Sequence, residues 1–141
     1  MDRRNFLNLS LVGVSGSLLM SEATASKKEG GGLAGGIFYT KKSPGRWAEK
    51  VGGHLPQIKQ VKEKEGVKLT VITPHEMKGY EHYIVKHVVL DKDFNFISEK
   101  MFNPEQEPMP VSNHQLGEYK GPVYVLSVCN KHDTWMNSVV V

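Results

Sequence analysis

One cysteine and six histidines stand out in this chain, and one of the histidines follows the cysteine at a spacing of three, in Cys129-Asn130-Lys131-His132. A lone cysteine cannot close an internal disulfide. Cys129 is therefore a packed thiol, a nucleophile, an intermolecular bridge or a metal ligand. Cys-x-x-His alone does not choose among these, because a buried Cys beside a surface His gives the same pattern. Three more histidines lie in defined settings: His54-Leu55-Pro56 in a loop, Thr73-Pro74-His75-Glu76-Met77 at a strand end, and Glu81-His82-Tyr83-Ile84 at a strand start. The Cys-x-x-His segment follows the apolar run Val123–Val128, so it falls where a strand gives way to a loop. That position holds a thiolate and an imidazole on a rigid base while presenting both to one site.

The elements that must position these side chains read as strands. Val67–Thr73, Tyr83–Leu90, Asp93–Met101, Val123–Val128 and Ser138–Val141 are apolar, β-branched or alternating. Proline and glycine punctuate the gaps, at Pro104, Pro108, Pro110, Gly117, Gly121 and Pro122. Trp47–Lys50 fits one short helical turn, and no long helical stripe or repeat is present. Short strands over roughly 105 residues predict an all-β, immunoglobulin-like sandwich of about seven strands. With 39% hydrophobic and 23% charged residues the body is soluble and globular. A formal charge of +3, with Lys and Glu interspersed, is too mild to point to nucleic acid.

Residues 1–25 read as an export signal rather than as part of the fold. Arg3-Arg4 precedes Asn5-Phe6-Leu7 and an apolar run from Leu9 to Met20, and Ala23-Thr24-Ala25 is a small-residue cleavage site. The run is short and broken by Gly13 and Gly16, so it is a poor spanning helix. Arg-Arg-x-Phe-Leu resembles a twin-arginine signal, which implies a periplasmic protein with no membrane span after cleavage. Such a route resembles one that carries folded proteins, so a metal could be inserted before export. Residues 26–36, rich in Lys and Gly, are expected to be a flexible linker, and residues 37–141 the folded domain.

Taken together, the three histidine segments and Cys129-Asn130-Lys131-His132 resemble the superoxide reductase family, which includes neelaredoxin and the iron domain of desulfoferrodoxin. The resemblance runs over about residues 45–141 and keeps the order of the family's segments. It implies one non-haem iron held by His54, His75, His82, Cys129 and His132, and one-electron reduction of superoxide to hydrogen peroxide. It also implies an external electron-donor protein, because a single cysteine leaves no four-cysteine iron domain in this sequence. The family's dimers and tetramers make a homo-oligomer a further expectation. Three departures are visible. His75 and His82 are seven apart where the family usually has six, and Glu76 replaces a proline. Gly52-Gly53 stands where a Glu-Lys pair normally precedes the first histidine, and Glu49-Lys50 comes three residues earlier. In the family that Glu caps the iron's open position and that Lys attracts superoxide, so Glu49 and Lys50 are the candidate catalytic residues.

The chemistry of the residues agrees with the resemblance. Four neutral imidazoles and one thiolate make five donors, whereas structural zinc prefers four, commonly with more sulfur. Five leave one octahedral position open for a small ligand, and a thiolate opposite it pushes electron density onto the metal. His87 and His114 are left over. His87, five residues from His82, is expected on the opposite strand face, as a surface or core residue, and His114 in a solvated loop. Trp47 and Trp135 are either walls of the metal site or ordinary core aromatics. Two rival readings remain: a cupredoxin-like blue-copper carrier using Cys129, His132 and Met136 with an upstream histidine, and a metal-free immunoglobulin-like binding module.

Overall fold

The computed structural model describes residues 32–141; the expected leader and the first part of the expected linker lie outside the described residues. Seven strands form two antiparallel sheets. In chain order they are β1 (Gln57–Glu63), β2 (Gly66–Ile72), β3 (Ile84–Leu90), β4 (Phe96–Met101), β5 (Val111–Gly117), β6 (Pro122–Cys129) and β7 (Asp133–Val140). One sheet has the order β1-β2-β5, the other β4-β3-β6-β7. The expected all-β, immunoglobulin-like sandwich is therefore what the chain forms. Among the described residues no helix is long and apolar enough to cross a membrane.

Alternation builds the core. Val67, Leu69 and Val71 of β2 and Val123 and Val125 of β6 turn inward and pack with Val89 and Leu116. Neither β1 nor β5 was expected as a strand. β1 is an edge strand with only Ile58 and Val61 as apolar residues, and its lysines suit an edge that must not pair further. β5 alternates cleanly, but two of its three buried residues are Ser112 and His114 rather than aliphatics. His114 is thus not in a solvated loop: it lies in mid-strand and is 2% exposed. The fourth strand begins at Phe96 rather than Asp93, because residues 91–95 form a turn in which Asp91 Oδ1 accepts from the Asp93 and Asn95 amides.

A register shift between Ile84 and Lys86 places one extra β3 residue opposite β6 beside Cys129. Simple alternation between His82 and His87 does not survive this bulge, and His87 is fully buried between the sheets. Residues 33–36, the end of the expected linker, form a turn in which the Gly36 amide donates to Leu33 O (3.1 Å). Tyr39 then extends the larger sheet alongside β7, donating to Thr134 O (2.9 Å) and accepting from the Met136 amide (2.8 Å).

Candidate metal centre

All of the chemistry gathers at one end of the sandwich. A 3-10 segment, Gly45–Lys50, runs into a single α-turn, α1 (Val51–His54), whose last residue is His54. His54 thus closes a helical turn instead of lying in an open loop. His75 follows the end of β2, His82 precedes β3, Cys129 ends β6 and His132 precedes β7. The structure brings together all five residues proposed as ligands, with one donor atom from each within 4.8 Å of every other.

The inner ring nitrogens define a square. His54 Nε2 and His132 Nδ1 are 3.1 Å apart, His132 Nδ1 and His82 Nε2 3.2 Å, and His82 Nε2 and His75 Nε2 3.1 Å. Round the same circuit the ring centroids are 4.7, 4.9, 4.6 and 4.7 Å apart, and across the His54–His82 diagonal 6.4 Å. The corners of such a square lie about 2.2 Å from its centre, the scale of a metal–imidazole bond. Cys129 Sγ is 3.5 Å from His132 Nδ1 and 3.9 Å from His75 Nε2, which are opposite corners. Being that close to opposite corners and within 4.8 Å of all four, the sulfur lies off the plane of the square, to one side of it. Cys129 is buried against Ile84, Phe102 and Met77, so the sulfur side of the cluster is the interior. Five converging soft and borderline donors suit iron.

The His54 ring and the segments bearing His82 and His132 are held by their surroundings, whereas His75 Nδ1 is buried without a hydrogen-bond partner among the described residues. His54 Nδ1 bonds Lys50 O at 2.9 Å; a carbonyl only accepts, so the proton is on Nδ1 and the Nε2 lone pair faces the centre. His132 alone turns Nδ1 inward, since it is three residues from Cys129 across a tight hairpin and the nearer ring atom meets the sulfur. Asn130 clamps that hairpin to the His82 segment: its Oδ1 accepts from the Tyr83 amide (3.0 Å) and its Nδ2 donates to Glu81 O (3.0 Å). Asp133, at φ 64°, accepts from Arg46 Nη2 (2.6 Å) and Trp47 Nε1 (2.7 Å), tying the hairpin to the segment that carries His54. These two hydrogen bonds hold the Asp133 carboxyl below its usual range. Trp47 packs edge-on against the His132 ring at 4.8 Å, and Trp135 lies 5.8 Å from His54 and donates to His132 O (2.9 Å). Both tryptophans wall the site.

Electrostatics favour a neutral, metal-ready cluster. Burial, then repulsion from the neighbouring imidazoles, takes His54 down to about 4. His75, His82 and His132 are lowered as well, with burial the first cause in each. The charges of Lys50 and Lys131 reach both His82 and His132, and that of Lys78 reaches His75 and His82. Lys78 is paired with Glu76 at 3.1 Å, whereas among the described residues neither Lys50 nor Lys131 has a carboxylate partner. Glu49 and Lys50 are both exposed in the 3-10 segment. Of the residues that position ligands, Asn130 was visible only as part of the Cys-Asn-x-His segment; Arg46 and Asp133 carried no sequence signal.

The family model for desulfoferrodoxin matches residues 45–138. The chain belongs to the desulfoferrodoxin family. The match takes in all five converging donors and both clamps. Among solved structures, the superoxide reductase (neelaredoxin) from Ignicoccus hospitalis superposes with a TM-score of 0.58 at 22% identity, covering 81% of this chain and 98% of that one. A superoxide reductase solved in the oxidised state gives 0.51 at 28% identity, covering 62% and 87%. The superoxide reductase from Nanoarchaeum equitans gives 0.52 at 21% identity, covering 64% and 94%. No curated protein matches the chain in sequence. Met136, which the blue-copper reading needed as a ligand, instead lines an apolar groove with Leu90, Phe94 and Leu126.

Proposed function

We propose that this desulfoferrodoxin-family protein is a superoxide reductase. The observation that carries the reading is the convergence of four imidazole nitrogens and one thiol, all within 4.8 Å of one another. When bound there, iron supplies the electron that, with two protons from solvent, converts superoxide to hydrogen peroxide. The chain's own residues do the rest. His54, His75, His82 and His132 fix four donors around one centre, and the Lys50 carbonyl keeps the His54 lone pair turned inward. Ile84, Phe102 and Met77 shield from water the sulfur that would hold the metal. Lys50 and Lys131 make the open face attractive to a small anion. Glu49, beside Lys50 in the exposed turn, is the carboxylate available to cover the open position.

Supplied with iron and a reductant, the protein is expected to form one peroxide per electron taken from that reductant. Catalytic oxygen evolution without a donor would identify a dismutase instead. The electron comes from a separate donor protein, and the leader Arg3-Arg4-Asn5-Phe6-Leu7 supports delivery to the periplasm by the twin-arginine route. Changing both arginines to lysine should leave the uncleaved chain in the cytoplasm; continued export of a chain beginning near Ser26 would point to the general secretory route.

A further inference from the structure

Moving along β2 and β6 toward the metal centre, the interior changes character. Val67, Leu69 and Val71 give way to Thr73; Val123 and Val125 give way to Ser127. On both strands the change comes two residues before a ligand, His75 or Cys129. Thr73 and Ser127 are fully buried and bond each other, Oγ1 to Oγ, at 2.8 Å. Thr73 Oγ1 also meets Nε2 of the fully buried His87 at 2.8 Å. The chain of bonds continues from His87 Nδ1 to Ser112 Oγ (2.7 Å), from Ser112 to His114 Nε2 (2.8 Å) and from His114 Nδ1 to Ser98 Oγ (2.9 Å).

Resting on the metal-centre reading above, we propose that Thr73, His87 and Ser127 are positioning residues for the metal: a hydrogen-bonded brace that sets the spacing between the strand ends carrying His75 and Cys129. The Thr73–Ser127 and Thr73–His87 bonds join opposite sheets, since Thr73 continues β2 while His87 and Ser127 belong to β3 and β6. Aliphatic packing resists compression but has no preferred direction. Hydrogen bonds fix distance and angle, and in a dry interior they must all be made, because an unpartnered buried polar group is costly. The brace therefore holds the Cys129 Sγ to His75 Nε2 separation, 3.9 Å, more narrowly than packing could. Burial lowers His87 to about 3, so its ring stays neutral and both nitrogens remain committed to these contacts.

The test compares iron-loaded wild type with Thr73→Val, which keeps the shape and removes the shared hydroxyl, Thr73→Ser, which restores it, and Ser98→Ala at the far end of the chain. Two readouts are taken: the position of the thiolate-to-iron absorption band, which does not follow overall stability, and the half-life of iron against excess chelator, read beside the urea midpoint of each variant. Thr73→Val should shift the band and shorten the half-life about tenfold. Thr73→Ser should recover both, and Ser98→Ala should leave both at wild-type values. Should Thr73→Val fail to fold, Ser127→Ala, which cuts one arm only, should give the same shift in smaller measure. Wild-type band and half-life in Thr73→Val, or in Ser127→Ala where that stands in, would overturn the brace alone. A wild-type protein that takes up no iron would overturn the metal-centre reading and the brace with it.

Discussion

Cys129 and Lys50 act on different quantities, which makes them separable. Cys129 sits on the buried side of the imidazole cluster, and a serine hydroxyl there is a poor soft donor. Cys129→Ser is expected to abolish the thiolate-to-iron colour and to lower activity on the order of tenfold or more; retention of both would remove the sulfur from the ligand set. Lys50 is exposed and reaches the site only through its charge. Lys50→Ala should reduce the second-order rate with superoxide and flatten its dependence on ionic strength, while iron content and colour stay unchanged. Pulse radiolysis at two salt concentrations would read this, and identical salt slopes would assign the steering elsewhere, with Lys131 the next candidate. The ligands themselves were legible in the sequence because each sits beside a residue that marks a strand end or turn: Pro56, Pro74, Tyr83 and Asn130. The planar arrangement was not legible, because it depends on which ring nitrogen each backbone turn directs inward.

At the scale of elements, the β6–β7 hairpin organises the site. It carries two ligands, and through Asn130 and Asp133 it grips the segments bearing His82 and His54. Asn130→Ala removes an acceptor and a donor that serve backbone groups of a neighbouring segment. It should cost about 1–2 kcal/mol in urea denaturation of the metal-free protein and loosen His82 first, with faster iron loss as the companion readout. An unchanged denaturation midpoint would show that water replaces the amide without penalty. The strands β2, β3 and β6 were legible because aliphatic residues fill most of their inward positions. β1 was hidden by its polar edge composition, and β5 because Ser112 and His114 occupy positions where a strand pattern demands apolar side chains. Asp133 and Arg46 are 87 residues apart, so no local spacing announces their contact.

Across the whole molecule, every histidine is held below its ordinary pKa, with burial the first cause each time. For His87 the folded value is about 3 against an ordinary 6.5. Between these values the unfolded chain binds a proton that the folded chain refuses. Its contribution to stability is thus complete above pH 6.5 and is lost as the pH falls toward 3, at up to about 1.4 kcal/mol per pH unit. Denaturation of the metal-free protein at pH 7.5, 6, 5 and 4 should show a steady decline, made shallower by His87→Gln; a flat profile would contradict the burial of these rings. The hydrogen-bonded line from Ser98 to Ser127 has one more consequence, for how the chain finds its fold. An all-aliphatic interior tolerates a strand sliding by two residues, since the same faces remain inward. Here a slide of β5 by two would carry His114 or Pro110 into the place of Ser112 and remove the hydroxyl that His87 Nδ1 meets. The line thus works as a key that only one alignment of the strands can turn, so ligands far apart in sequence reach the same corner of the sandwich in register.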